Sequence, residues 1–246
     1  TVPFSEHGNI RSREACLKSS TMAVELAKRE NAKLHVLHIT TEEELQLFEA
    51  GNNRITAEAC VHHLWFEDLS YSTLGSLIKC NPAIKKASDR DAIRNAVADG
   101  RISILATDHA PHTWEEKQGN YFNAPSGLPL IQHTLLLMLE MCEQECFTIE
   151  TVVERACHAP ARLFQVEERG YLREGYWADI VIVDPTKHTT VEKTELFSKC
   201  QWSPFPHMTF TNLIEATIVS GEIAYQKGQI NIACRGKRVN FSNLRR

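Results

Sequence analysis

Ile102-Ser103-Ile104-Leu105-Ala106-Thr107-Asp108-His109-Ala110-Pro111-His112 is an apolar run that turns abruptly polar, and its reading decides the fold class. The apolar part has the length of a buried strand, and a carboxylate and two imidazoles follow it at once. Immediately upstream, Ser88 with Asp91 reads as a cap opening a helix through Ala92, Ile93, Ala96 and Val97, closed by Gly100. Before that helix, Arg54 to Val61 reads as another strand. Thr41 with Glu44 has the form of a capping box for a short helix through Leu45, Leu47 and Phe48 that stops at Gly51. Leu34 to Ile39 is a further apolar strand, and Arg11 to Asn31 carries Ala15, Met22, Ala23, Leu26 and Ala27 at helical spacing. Strand alternating with helix implies parallel strands joined by crossovers, so this part of the chain is α/β. Such sheets, barrels above all, place their chemistry at the carboxyl ends of the strands, where His38 and Thr107-Asp108-His109 fall.

Downstream, Leu128 to Met141 is strongly apolar and helical. Thr148 to Phe164 continues the helical pattern, with Pro160 expected to break it. After Gly170 the pattern becomes strand-like. Ala178 to Asp184 and Leu213 to Val219 form strands separated by turn-rich segments around Pro185, Pro204 and Pro206, which predicts a small β module at the end of the chain. The division expected is 1–165 for the strand-helix units and 166–246 for the β segment. About three strand-helix units precede residue 145, whereas a closed eightfold barrel needs about 250 residues, so the chain supplies less than half a barrel. Its start, Thr1-Val2-Pro3-Phe4-Ser5, reads as a chain picked up in mid-fold.

The 246 residues are 43% hydrophobic and 24% charged, with 27 basic and 31 acidic side chains and a formal net charge of −4. Without a basic cluster the chain does not read as a nucleic-acid binder, and no apolar run approaches the ~18 residues of a membrane span. The eight cysteines form no Cys-x-x-Cys, and several lie in apolar runs, which reads as reduced thiols in a cytoplasmic protein. Cys142 and Cys146, four apart on a helix, fit metal binding and, more commonly, core packing.

Asp108, His109 and His112 bring together residue types able to supply a metal ligand, a proton carrier and a substrate donor. An aspartate capping a turn beside two surface histidines fits the same residues equally well. In His35-Val36-Leu37-His38, strand alternation lets at most one histidine face a site, and a lone strand histidine is more often structural. His62-His63 is a possible metal pair but reads better as a partly exposed one, because adjacent strand positions diverge. Asn81 before Pro82 reads first as a turn residue.

Taken in order, these segments say more. His35-Val36-Leu37-His38-Ile39-Thr40-Thr41, Thr56-Ala57-Glu58 with His62-His63-Leu64, Lys79-Cys80-Asn81-Pro82, Asp89-Arg90, Asp99-Gly100, Ala106 to Thr113, Glu116-Lys117 and Ala124-Pro125-Ser126-Gly127 follow one another along the chain. Together they resemble the class I dihydroorotases of the amidohydrolase superfamily. Gly170-Tyr171-Leu172-Arg173-Glu174-Gly175-Tyr176-Trp177-Ala178-Asp179-Ile180-Val181 is similar to the C-terminal β-sandwich signature of that superfamily.

The resemblance implies the C-terminal part of a TIM (β/α)8 barrel of amidohydrolase type, followed by a small β-sandwich module. The implied activity is zinc-dependent and reversible: hydrolysis of dihydroorotate to N-carbamoyl-L-aspartate in pyrimidine biosynthesis, with a homodimer as the expected assembly. His38 would be a zinc ligand at the end of the sixth barrel strand. Asp108, ending the eighth, would be both a zinc ligand and the catalytic acid/base. Asn81 and His112 would hold the substrate, and the backbone at Ser126 and Gly127 would close over it. The family's His-x-His on the first strand, its carboxylated lysine or aspartate on the fourth and its histidine on the fifth have no counterpart here, so the N-terminal half of the barrel is expected to be missing. The family's Asn-Pro-Pro-Leu-Arg is Asn81-Pro82-Ala83-Ile84-Lys85, and its proline before the paired histidines is Val61. A hydantoinase, dihydropyrimidinase or allantoinase-type cyclic amidase is the alternative enzyme, and a non-catalytic scaffold the alternative of another class.

Overall fold

The computed structural model describes residues 2–242; Thr1 and residues 243–246 lie outside it. Its first half is built on three parallel strands in the order β1-β2-β3: β1 (Leu34–Val36), β2 (Ile55–Cys60) and β3 (Ile104–Ala106). Leu34 pairs with Ile55, and Glu58 with Ile104, so β2 is the middle strand. Ile55, Ala57 and Ala59 alternate along β2 with Thr56, Glu58 and Cys60, which puts the two sets on opposite faces.

The connections run as helices. The helix Arg13–Arg29 is capped by Ser12, whose hydroxyl accepts the Ala15 N–H at 3.3 Å, and it ends on Lys28 and Arg29, favourable at a helix carboxyl end. Its buried stripe is Ser20, Val24 and Ala27, whereas the expected Met22 and Leu26 face outward. The helix Ala87–Asp99 begins one residue before Ser88. The Lys86 N–H donates to Asp89 at 3.2 Å, so Asp89 rather than Asp91 occupies the capping position. Asp89 is drawn there because it also accepts from Glu42 N and pairs with Arg13, which ties three segments to one buried carboxylate. Gly100 ends the helix at φ 93°, a left-handed conformation that favours glycine.

The expected helix from Leu128 starts later, as Thr134–Glu143, because Leu128 bridges to His109 and Leu130–His133 forms a tight turn. Pro160 does not break the next helix. Ile149–Val153, a wide turn at Glu154–His158 and Ala159–Leu163 run on continuously, with Pro160 in the first turn of the last segment, where its missing N–H is tolerated.

The second half carries an antiparallel sheet in the order β4-β7-β8-β9, formed by β4 (Ile180–Asp184), β7 (Leu213–Val219), β8 (Glu222–Gln226) and β9 (Gln229–Ile230). A small ladder joins β5 (Thr189–Thr190) to β6 (Thr209–Phe210). Asp179 explains why Ala178-Asp179 precedes β4: its carboxylate accepts the Ser220 N–H at 2.7 Å and pairs with Arg169, while Ala178 O accepts from Gly221, pinning the β7–β8 turn. Val191, Phe205 and Phe210 from this half join the same apolar core as Leu64, Leu137 and Met141. No helix among the described residues is long and apolar enough to cross a membrane.

Candidate active site

The carboxyl edge of the parallel sheet is built alike at both outer strands. His38 stands two residues beyond β1 with φ 43°, and Asp108 two residues beyond β3 with φ 47°. A left-handed backbone is uncommon outside glycine and takes His38 off the strand alternation, so that rule does not set its direction. Among the described residues neither side chain makes a hydrogen bond, which leaves both free toward a ligand. The Asp108 carboxyl is held above the usual carboxylate range, first by loss of hydration and also by Glu58, while His38 opposes the shift. Glu58, on β2, is engaged by His35: Nε2 lies 3.0 Å from its carboxylate and Nδ1 2.8 Å from Thr56 Oγ1. His35 is thus structural, as a strand histidine usually is.

A wall of loops stands beside this edge. His112 Nε2 donates to Ser126 O at 3.1 Å, and Trp202 Nε1 donates to His112 O at 2.7 Å, so the imidazole is fixed at both ends of its residue. Gly127 has φ 142°, and a Cβ there would come within 2.5 Å of Ala110 O, so only glycine lets the two loops approach this closely. Its N–H reaches Lys79 O at 2.8 Å, joining the wall to the stretch that ends in the exposed Asn81 and its cis bond to Pro82. His112, Ser126, Gly127 and the chain next to Asn81 are therefore brought together. His109 is not part of the reactive group: its Nδ1 accepts from Leu130 N at 2.9 Å and Ile131 N at 3.2 Å, which makes it a clamp on the following segment.

The chain matches the amidohydrolase family over residues 13–224. It belongs to that family. It is 35% identical over 195 residues to a dihydroorotase of Halobacterium salinarum, covering 79% of this chain and 46% of that one. To a dihydroorotase of Latilactobacillus sakei it is 32% identical over 210 residues, covering 84% and 49%. The resemblance read from the motifs is borne out, and the chain spans about half the length of the curated relatives it matches. A solved L-hydantoinase (dihydropyrimidinase) from Arthrobacter aurescens superposes with a TM-score of 0.81 at 24% identity, covering 87% of this chain and 49% of that one; the fold is of amidohydrolase type.

The donors at the edge can be tested against the zinc of such an amidohydrolase. An imidazole and a carboxylate, without hydrogen bonds and at the ends of the two strands that flank β2, suit zinc, but a catalytic zinc takes three protein ligands. Glu58 is committed to His35, so the edge provides two donors, His38 and Asp108, among the described residues.

Several residues that support the strand ends and the wall carried no role in the sequence. Lys117 is fully buried and its ammonium reaches Pro125 O at 2.9 Å and Gly127 O at 3.1 Å; burial pushes its pKa down to about 8. Lys79 donates to Tyr121 O and Ala124 O, both at 2.6 Å. His7, on a short helix His7–Ile10, is buried between Tyr121 Oη and Cys80 O at 2.8 Å each. His62 and His63 overturn the exposed reading: β2 ends at Cys60, the helix Val61–Trp65 begins at once, and both rings are buried. The signal for the lysines was position, since Lys79 and Lys117 both lie within the segments that carry the resemblance.

Proposed function

We propose that the chain is the C-terminal part of a dihydroorotase, with 1–165 forming the last strands of a (β/α)8 barrel and 166–246 a β-sandwich segment. The carrying observation is the pair His38 and Asp108, placed alike in left-handed backbone beyond two parallel strands that flank β2, beside the wall of His112 and Gly127. The small-molecule substrate pair is dihydroorotate and N-carbamoyl-L-aspartate. Zinc, when bound by His38, Asp108 and donors from the rest of the barrel, supplies Lewis-acid polarisation of the ring amide.

The chain's own residues account for the proton and the positioning. Asp108 accepts the proton that water gives up as its oxygen adds to the carbonyl carbon. It returns that proton to the ring nitrogen as the C–N bond breaks, and the reverse sequence closes the ring. Burial supports this double duty by raising the proton affinity of the Asp108 carboxyl. The Asn81 amide donates to the substrate carboxylate, and His112, whose Nε2–H is held by Ser126 O, adds an Nδ1–H donor to the same anion when the ring is doubly protonated. Gly127 lets the loop backbone come close enough to cover the ring.

Dihydroorotase is favoured over the other cyclic amidases by Asn81-Pro82, by His112, and by the identity to dihydroorotases over about four-fifths of the chain. The test is turnover by the full-length protein on dihydroorotate, hydantoin and dihydrouracil side by side. Dihydroorotate is expected to be hydrolysed with the highest kcat/KM. Preference for either of the others overturns the substrate, and no turnover with zinc bound leaves a scaffold.

A further inference from the structure

Beneath the sheet edge, β2 runs into the helix Val61–Trp65 with no intervening loop, and Cys60, the last strand residue, is also the residue before the helix. That tight passage collects Cys60, His62 and His63, whose ligand atoms all lie within 4.8 Å of one another. All three side chains are buried, at 0%, 0% and 4% exposure. Neither ring nitrogen of His62 has a hydrogen-bond partner, and neither does Nδ1 of His63. Buried polar atoms without partners are rare, and this group, which includes one free lone pair on each ring, calls for an occupant that accepts those lone pairs.

The ring of His63 is already set for that role. Its Nε2 lies 2.9 Å from Pro82 O, an acceptor only, so the proton is on Nε2 and Nδ1 carries the free lone pair. A metal-bound histidine commonly has its other N–H on a backbone carbonyl in this way. Cys80 Sγ sits 3.7 Å from the same Nε2 and 3.2 Å from Pro82 O, so it backs the ring instead of joining the donors. The two imidazoles lie side by side, centroids 4.0 Å apart and tilted by 43°.

We propose that Cys60, His62 and His63 bind a thiolate-seeking d10 ion, zinc(II) or copper(I), at a buried site distinct from His38 and Asp108. One sulfur and two imidazole nitrogens with no carboxylate select soft or borderline ions over magnesium or calcium. On binding, the Cys60 thiol gives up its proton to solvent and the thiolate becomes the ligand. The role is structural: the ion ties the end of β2 to the first turn of the following helix. It is independent of the substrate assigned to the sheet edge.

Cobalt(II) distinguishes this site from the edge, because only this one contains sulfur. The full-length protein is produced in cobalt-, zinc- or copper-supplemented medium, cleared of loose metal on a weak chelator, and its metal counted by mass spectrometry. The expected result is one retained ion that survives removal of the edge donors and, for cobalt, a near-ultraviolet thiolate-to-metal charge-transfer band. The band is lost in Cys60→Ser, and His62→Gln weakens retention by at least about 100-fold, the upper end of what losing an outer-shell partner does. A His38→Ala/Asp108→Asn double variant and Cys157→Ser both keep the band. Whether zinc or copper(I) survives the chelator names the ion. No thiolate band in a wild-type chain shown folded by circular dichroism overturns the proposal without any variant, and so does a band that persists in Cys60→Ser.

Discussion

The strand ends bearing His38 and Asp108 and the loop wall bearing His112 and Gly127 border one another, yet they are built in opposite ways. The strand ends have left-handed backbone and side chains without hydrogen bonds. The wall is cross-tied by Lys79, Lys117, His109 and Trp202, nearly all of them donating to or accepting from backbone atoms. In the proposed site the metal and proton-transfer residues are thus left unengaged, while the frame proposed to position the substrate is over-determined.

The sharpest way to break this comparison is Asp108→Asn in the full-length protein. It removes the proposed proton carrier and one proposed zinc donor but no hydrogen bond, so kcat is expected to fall by about 10²–10⁴-fold while the melting temperature of the metal-free protein stays put. A loss of stability comparable to that of a wall variant would erase the distinction. Steady-state kinetics and, after metal removal, thermal denaturation of the same preparation read both.

Lys117→Met tests the other side. Its removal leaves the Pro125 and Gly127 carbonyls unsatisfied and is expected to lower stability by about 1–3 kcal/mol in urea titrations. A pH arm sharpens it. The folded-state pKa of Lys117 is pushed down to about 8 from 10.5, so between these values the unfolded chain binds more protons than the folded one. Stability from this group therefore rises with pH over that window, and its charging penalty is fully present below about pH 8. The difference between wild type and Lys117→Met should widen from pH 8 to 10.5; a constant difference would mean the ammonium is not desolvated.

Gly127→Ala gives the smallest effect. The new Cβ would lie 2.5 Å from Ala110 O and the φ of 142° disfavours any side chain, so the two backbone segments must move apart. A rise in KM for dihydroorotate with kcat little changed, and a stability loss of about 1–2 kcal/mol, is expected. An unchanged KM would detach this loop from substrate.

The parallel strands, the helices between them and the strand-end positions of His38 and Asp108 were legible because apolar runs and strand-end polarity are local signals. His38 and Asp108 each follow an apolar run by a residue or two, and the resemblance supplied their pairing. The lysines were not legible. A lysine in a polar stretch reads as solvated, and what buries Lys117 is a set of carbonyls that come near only when the 117–127 loop folds back on it. His62 and His63 were misread for a related reason: the strand rule was carried past Cys60, where the chain had already turned into a helix. Pro160 shows the same limit, since a widened turn upstream absorbs it.

The left-handed backbone at residues 38 and 108 also limits which amino acids could ever stand there. Asparagine, aspartate and histidine are several-fold enriched in that region, whereas β-branched residues are outliers. The edge thus biases its own alphabet before any chemistry is considered: threonine or valine at either position is resisted by the main chain, whereas histidine and aspartate, both ordinary metal ligands, are among the types it favours.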